Sequence, residues 1–160
     1  MREVVRLRSN DACEYCLLPT TSKFEIEHII PRNRWMAYQT NQLPGVRPRL
    51  DRRGPDHIDN YAWACPFCNR AKADRVSHRI ERRPIRFFDP RHDSWPAHFV
   101  FAPASAYVVI LGATSVGSVT AGPHGLDFNR GGPEGPMVTR HVEVLNGSYP
   151  PMWARATYEI

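Results

Sequence analysis

Cys65-Pro66-Phe67-Cys68-Asn69-Arg70-Ala71-Lys72, taken with Cys13-Glu14-Tyr15-Cys16 upstream, is the text on which the fold turns. Two Cys-x-x-Cys pairs separated by 48 residues supply four thiolates, the number that a tetrahedral Zn²⁺ takes at ~2.3 Å. Disulfides do not persist in a reducing cytoplasm, so a zinc site is the first reading; a redox-active Cys-x-x-Cys and an iron site are the alternatives. Neither alternative explains why two matching pairs occur in one small chain. Pro66 suits a first helical turn, so residues 67–76 are expected to be helical, with Arg70, Lys72 and Arg75 on the surface.

Between the pairs the chain must itself fold, because 48 residues are too many for a small classical finger. Residues 24–30 alternate as a strand does, with Phe24, Ile26, His28 and Ile30 on one face and Glu25, Glu27 and Ile29 on the other; Pro31 stops it. Asn60 opens a second short strand, Tyr61-Ala62-Trp63-Ala64, that leads into the second pair. Residues 32–56 carry Pro44, Pro48 and Pro55 without a regular period and are read as a long basic loop.

Outside this region the reading is sparser. Residues 3–9 suit a short helix ahead of the first pair. Residues 107–111 and 116–120 read as a hairpin across 112–115, residues 121–136 with five glycines and three prolines as loop, and residues 138–145 as a last strand, with 146–160 covering the domain. The chain of 160 residues fits one compact domain, divided for description into a core over 1–80 and a β-rich extension over 81–160 packed on it. No stretch approaches the ~20 apolar residues of a membrane span, and Glu3, Arg6 and Arg8 stand where a secretory signal would be apolar, so no membrane partner and a cytoplasmic location are expected.

Charge is uneven. Residues 32–91 hold 14 Lys/Arg against 6 Asp/Glu, while the rest of the chain holds 7 against 10. A basic segment of this kind binds polyanions by releasing their condensed counterions, although a solvated face in an arginine-rich chain has the same composition. Arg52, Arg53, Arg70, Lys72 and Arg75 are the candidate phosphate contacts, with DNA as the expected partner and RNA not excluded.

Taken in order, the residues able to do chemistry are Glu27-His28, Asn60 and Asn69. Phe24-Glu-Ile-Glu-His-Ile-Ile-Pro-Arg32 and Gly54-Pro-Asp-His-Ile-Asp-Asn-Tyr-Ala-Trp-Ala-Cys-Pro-Phe-Cys-Asn-Arg-Ala-Lys-Ala-Asp-Arg75, with the first Cys pair, resemble the HNH endonuclease family. The resemblance implies an α+β fold with a zinc-braced, treble-clef-like ββα metal core, and metal-dependent hydrolysis of DNA phosphodiesters. It implies that His28 is the general base, Glu27 and Asn69 ligands of a catalytic Mg²⁺ or Mn²⁺, Asn60 a support for the loop that carries His28, and Cys13, Cys16, Cys65 and Cys68 ligands of a structural Zn²⁺. Such chemistry suits these residue types: a histidine accepts a proton near neutral pH, and carboxylate and amide oxygens are hard ligands.

Strict alternation sends Glu27 and His28 to opposite faces of a strand, so the shared site that the family implies needs a strongly twisted strand end. Two departures stand out: no Gly-Gly follows Pro31, and Glu27 occupies a position where Asp is commoner. Residues 89–99, Asp-Pro-Arg-His-Asp-Ser-Trp-Pro-Ala-His-Phe, resemble a segment that follows the nuclease module in free-standing bacterial members, with no role assigned. Taken alone, each residue has a plainer role: His28 as a hydrogen-bonded core histidine, Glu27 as a surface acid, Asn69 as a helix-start residue. The rival functions are a zinc-dependent nucleic-acid-binding module without cleavage and a structural zinc scaffold for protein interaction, neither of which needs Glu27, His28, Asn60 and Asn69 together.

Overall fold

The computed structural model describes residues 1–21, 23–104, 107–131 and 135–136. It is an α+β arrangement of short helices and three two-stranded antiparallel sheets. Helix α1 (Arg2–Arg8) has Glu3 in its first turn and Arg6 and Arg8 in its last, the charge order that complements the helix dipole. Seven residues are too few to hold a helix in water, so packing fixes it. Val5 is buried, and the Arg8 guanidinium donates to the carbonyls of Ile58 (3.1 Å) and Tyr61 (2.7 Å).

Strand β1 (Glu25–His28) pairs with β2 (Tyr61–Ala64) in the register Glu25↔Ala64, Ile26↔Trp63, Glu27↔Ala62 and His28↔Tyr61. All four β2 residues are buried, so the strand reads as an unbroken apolar run rather than an alternating one. Helix α3 (Pro66–Lys72) follows at once, with Pro66 in its first turn and the Cys65 sulfur accepting from the Cys68 N–H at 3.4 Å. It ends at Ala73, whose φ of 49° leaves the helical region. The strand–strand–helix order follows the sequence reading, although the helix is shorter than residues 67–76.

The segment expected to be one long loop is helical at its start, over residues 32–39, and a loop over residues 40–56. A 3₁₀ turn (Arg32–Arg34) runs into helix α2 (Trp35–Gln39), and Tyr38 and Leu43 close a small second cluster with Ile30 and Val76. Only eight residues long and with few apolar positions, that helical stretch is too short for a helical period to stand out.

Strands β3 (Ser77–Ile80) and β4 (Arg83–Arg86) form a hairpin. Helix α4 (Trp95–His98) precedes β5 (Phe99–Ala104), which pairs with β6 (Tyr107–Gly112). The hairpin expected between residues 107–111 and 116–120 is therefore corrected: residues 107–112 pair backwards with β5, and Ser115–Ala121 is helix α5, capped by Thr114 accepting from the Gly117 N–H at 3.1 Å. The valines at 116 and 119 lie at helical spacing as well as strand density, and Gly117 decides between the two. A Cβ there would overlap the His98 carbonyl oxygen, so only glycine lets α5 lie this close to the end of α4. The strand expected at 138–145 lies outside the described residues.

The main core runs through both parts of the chain, from Val5, Tyr15 and Trp63 to Phe99, Ile110 and Phe128. Trp95 ties the two, with its ring 5.0 Å from those of Phe99 and Phe101 and its indole N–H donating to the Tyr15 carbonyl at 2.8 Å. Among the described residues no helix is long and apolar enough to cross a membrane.

Candidate metal centre and adjoining cleft

Four sulfurs meet where the first Cys pair lies against the start of α3. Cys13, Cys16, Cys65 and Cys68 are buried, and their ligand atoms all lie within 4.8 Å of one another. The Cys16 and Cys65 sulfurs are 3.7 Å apart. A regular tetrahedron with metal–sulfur bonds of ~2.3 Å has an edge of about 3.8 Å, so the donor set fits a zinc ion in size, chemistry and number. Local backbone shapes the cluster: Asn10, Asp11 and Leu17 adopt positive φ around the first pair, the Cys13 N–H donates to the Leu18 carbonyl at 2.8 Å, and the Cys65 N–H donates to the Cys13 sulfur at 3.4 Å. Burial pushes the Cys65 and Cys68 thiols well up. Four thiolates in this apolar pocket therefore need a cation among them, and four buried cysteines at this spacing could hold one.

One shell outward, β1 and α3 are stitched together by side chains. Asn69 Nδ2 donates to Glu25 at 2.9 Å, and one helical turn further the Lys72 ammonium donates to Glu27 at 2.6 Å and to the His28 carbonyl at 2.9 Å. Glu25 and Glu27 leave the same side of the strand, and Asn69 and Lys72 the same side of the helix, so the two pairs form a ladder. Tyr15, from inside the first Cys pair, donates its phenol proton to the other Glu27 oxygen at 2.8 Å. Burial raises the Glu27 carboxyl, while Lys72, Tyr15 and His28 pull it back down. Burial and the adjacent carboxylate push the Tyr15 phenol well up, which keeps it a donor.

This ladder corrects two expectations. Glu27 is only 4% exposed and both its oxygens are engaged, so as the side chains stand Glu27 and Asn69 do not fit as joint ligands of Mg²⁺ or Mn²⁺. Lys72 is 1% exposed and is a buried counter-ion, not a surface phosphate contact. The reason for the first is that Tyr15 and Lys72 take the two Glu27 oxygens, although Glu27, His28 and Asn69 all line one cleft.

His28 stands edge-on to the Tyr61 ring at 5.1 Å and opens onto a shallow cleft of about 350 Å³ that Glu27 also lines. Asn69, Arg32, Asn33 and Asp74 also line that cleft. The imidazole Nε2 is 2.9 Å from Asp56 Oδ1, and Arg32 Nε donates to the same oxygen at 2.6 Å. An ionised Asp56 makes Nε2 the protonated nitrogen of a neutral imidazole and leaves Nδ1 as the atom able to accept a proton. The His28 hydrogen bond, ahead of the Arg32 contact, holds the exposed Asp56 carboxyl below its usual range.

Asn60 is fully buried. Its amide nitrogen donates to the carbonyls of Ile30 (2.8 Å) and Pro55 (2.9 Å); its oxygen accepts from the Ile30 N–H and from Arg52, both at 2.9 Å. All four hydrogen-bonding positions of the amide are filled, and they clamp the chain immediately after His28 to the loop that carries Asp56.

Arg52 is also interior, at 4% exposure, and is not a surface phosphate contact. It reaches from Asn60 to Asp89 and lies 3.1 Å from His92 Nδ1; His92 in turn meets Asp89 (2.9 Å) and Asp51 (2.7 Å). The Asp89-Pro90-Arg91-His92-Asp93 segment thus braces the Asn60 clamp from outside, a role with no signal in the sequence beyond the resemblance itself. Of the remaining basic candidates, Arg70 is exposed, Arg53 pairs with Asp59 at 3.1 Å, and Arg75 donates to the carbonyls of His124 (2.6 Å) and Gly125 (2.8 Å).

Sequence reasoning missed Asp56, Glu25 and Tyr15, although all three lie within the motifs that carry the resemblance. Their partners are 28, 44 and 12 residues away, and only the fold brings them together. Compared with family models, curated proteins and solved structures, the chain finds no match in any of the three.

Proposed function

We propose that this protein is an HNH-type endonuclease in which the cleft beside β1 and α3 hydrolyses DNA phosphodiesters and the four cysteines hold a structural Zn²⁺. The observation that carries the reading is the placement of His28. Its Nε2 is engaged by Asp56, its Nδ1 is the acceptor that remains, and it opens on a cleft shared with Asn69 from the helix that starts in the second Cys pair. A histidine so held takes a proton from an attacking water. Arg32, which lines the same cleft with a largely exposed side chain, supplies positive charge for a phosphate oxygen. Asn60 keeps the His28 and Asp56 segments in register.

A second reading has an observation of its own. The Lys72–Glu27 pair neutralises the carboxylate that an HNH site would use on a divalent ion, and this favours a zinc-dependent nucleic-acid-binding module without cleavage. Plasmid nicking separates the two. Wild type and His28→Ala are compared at matched DNA occupancy, with and without added Mg²⁺ or Mn²⁺. The nuclease reading expects nicks from wild type and a loss of ~10²–10⁴-fold in the variant. Equal rates remove His28 from the chemistry, and no cleavage of DNA or RNA by wild type under any condition leaves the binding module.

A further inference from the structure

With Arg52 and Lys72 inside the protein, the most concentrated free positive charge lies where no motif pointed, on the hairpin of β3 and β4. Residues 77–86 carry four arginines and one acid. Arg79, Arg82 and Arg83 are exposed, and among the described residues none of them has an ion-pair partner. Arg86, at the base, is held by both oxygens of Asp93.

The hairpin is anchored at its root and bare at its end. His78 stacks on His124 with ring centres 5.2 Å apart, Ile85 packs on the main core, and Gly45 lies so close to β4 that an added Cβ would be 2.8 Å from the Pro84 carbonyl oxygen. Beyond these contacts residues 79–83 are all exposed. The loop is two residues long, and both Glu81 and Arg82 have positive φ (47° and 68°), the sign that a tight I′ hairpin turn requires. Neither is glycine, so both residues of the turn carry a side chain at the tip.

Register places the charges. Arg79 is paired with Pro84 and Ile80 with Arg83, so Arg79 and Arg83 leave opposite faces of the ribbon while Arg82 sits at its end. We infer that this ribbon enters the major groove of duplex DNA, making double-stranded B-form DNA the polymer presented to the His28 cleft. The inference rests on the proposed nuclease reading for its second half only. The major groove, ≈ 12 Å wide, admits a two-stranded β-ribbon, and its walls are the two phosphate backbones that arginines on both faces would meet. The deep, narrow major groove of an A-form RNA helix does not admit side chains in this way. A single strand offers no pair of walls at all.

The test is equilibrium binding of the full chain in magnesium-free buffer without chelator, to one sequence as duplex DNA, as duplex RNA and as single-stranded DNA. The variant is Arg79→Gln/Arg82→Gln/Arg83→Gln, whose sites are exposed; its zinc content and thermal midpoint should match wild type. Wild type is expected to prefer duplex DNA and to be displaced by a cationic major-groove dye but not by a minor-groove binder. In the triple variant the slope of log K against log salt on duplex DNA should flatten by about 0.9 for each phosphate that is no longer neutralised. An unchanged slope, tighter binding to RNA, or displacement by the minor-groove ligand would overturn the inference. Binding is read without cleavage, so a chain that holds duplex DNA through the ribbon and never cuts it sinks the nuclease reading and leaves the ribbon standing.

Discussion

The four-cysteine cluster and the His28 cleft both draw on helix α3, yet they are built on opposite principles. The cluster is closed, buried and chemically uniform, made from two local pairs that each fix their own backbone. The cleft is open and mixed, assembled from β1, the turn that follows Pro31 and the second half of α3, and it depends on an interior network to keep those pieces aligned. A closed cluster of this kind bears on whether the chain folds, and an open cleft bears on what the folded chain does. Breaking each in turn should therefore give different signatures.

The largest effect belongs to the cluster. Cys65→Ser removes one thiolate and the sulfur that caps α3, and since structural zinc sites contribute on the order of 10 kcal/mol, the variant should be unfolded or aggregated. Elemental analysis and circular dichroism check this, and a well-folded, metal-free protein would break the comparison. Next comes the buried pair between the two regions. Lys72→Met leaves the Glu27 carboxylate buried without its cation and should cost ~3–5 kcal/mol in denaturant unfolding, while Glu27→Gln/Lys72→Met should recover much of it.

Asn60→Ala sharpens the contrast from the cleft side. It strips two carbonyls, the Ile30 N–H and Arg52 of their partner and should destabilise by about 1–3 kcal/mol; on the proposed nuclease reading it also lowers nicking further than its stability loss explains. If activity and stability fall in step, the clamp is merely structural. The smallest effect is in acid. Burial would raise the Asp93 carboxyl, but Arg86 and the Asp89 N–H outweigh it and hold the group below the usual carboxylate range. A depressed folded-state value means stability present at neutral pH and lost as pH falls through that value. Asp93→Asn should therefore lower the midpoint at neutral pH and show less further loss on acidification, measured by thermal melts across the acid range.

The same contrast sets what a sequence can disclose. Two cysteine pairs announce a candidate metal site because each pair is local in the sequence and four thiols suit one ion, and β1, β2 and α3 are legible from their residue types and from Pro66. The cleft is half legible. His28, Asn60 and Asn69 stand out by type and order, but the fate of Glu27 depends on Lys72 and Tyr15, partners that a linear text does not connect. Arg52 and Lys72 read as surface cations because a charged residue is mostly exposed, and the exception requires knowing that a carboxylate waits inside. Helix α5 escapes for a different reason: short apolar runs containing glycine suit strand and helix alike, and here the close approach of His98 decides.

The span between the two Cys pairs governs the order of events as the chain folds. Cys13 and Cys65 are 52 residues apart, and β1, α2 and β2 all lie between them. A metal ion caught early by both pairs would close that loop before any strand has paired, turning the distant β1–β2 contact into a near one. Closing such a loop costs an entropy that grows only as ~(3/2)RT ln n, but it must be met before the contacts it enables are formed. Refolding from denaturant should then speed up with free Zn²⁺ until the ion binds faster than the strands pair, while unfolding, which starts from a cluster already closed, stays indifferent to it.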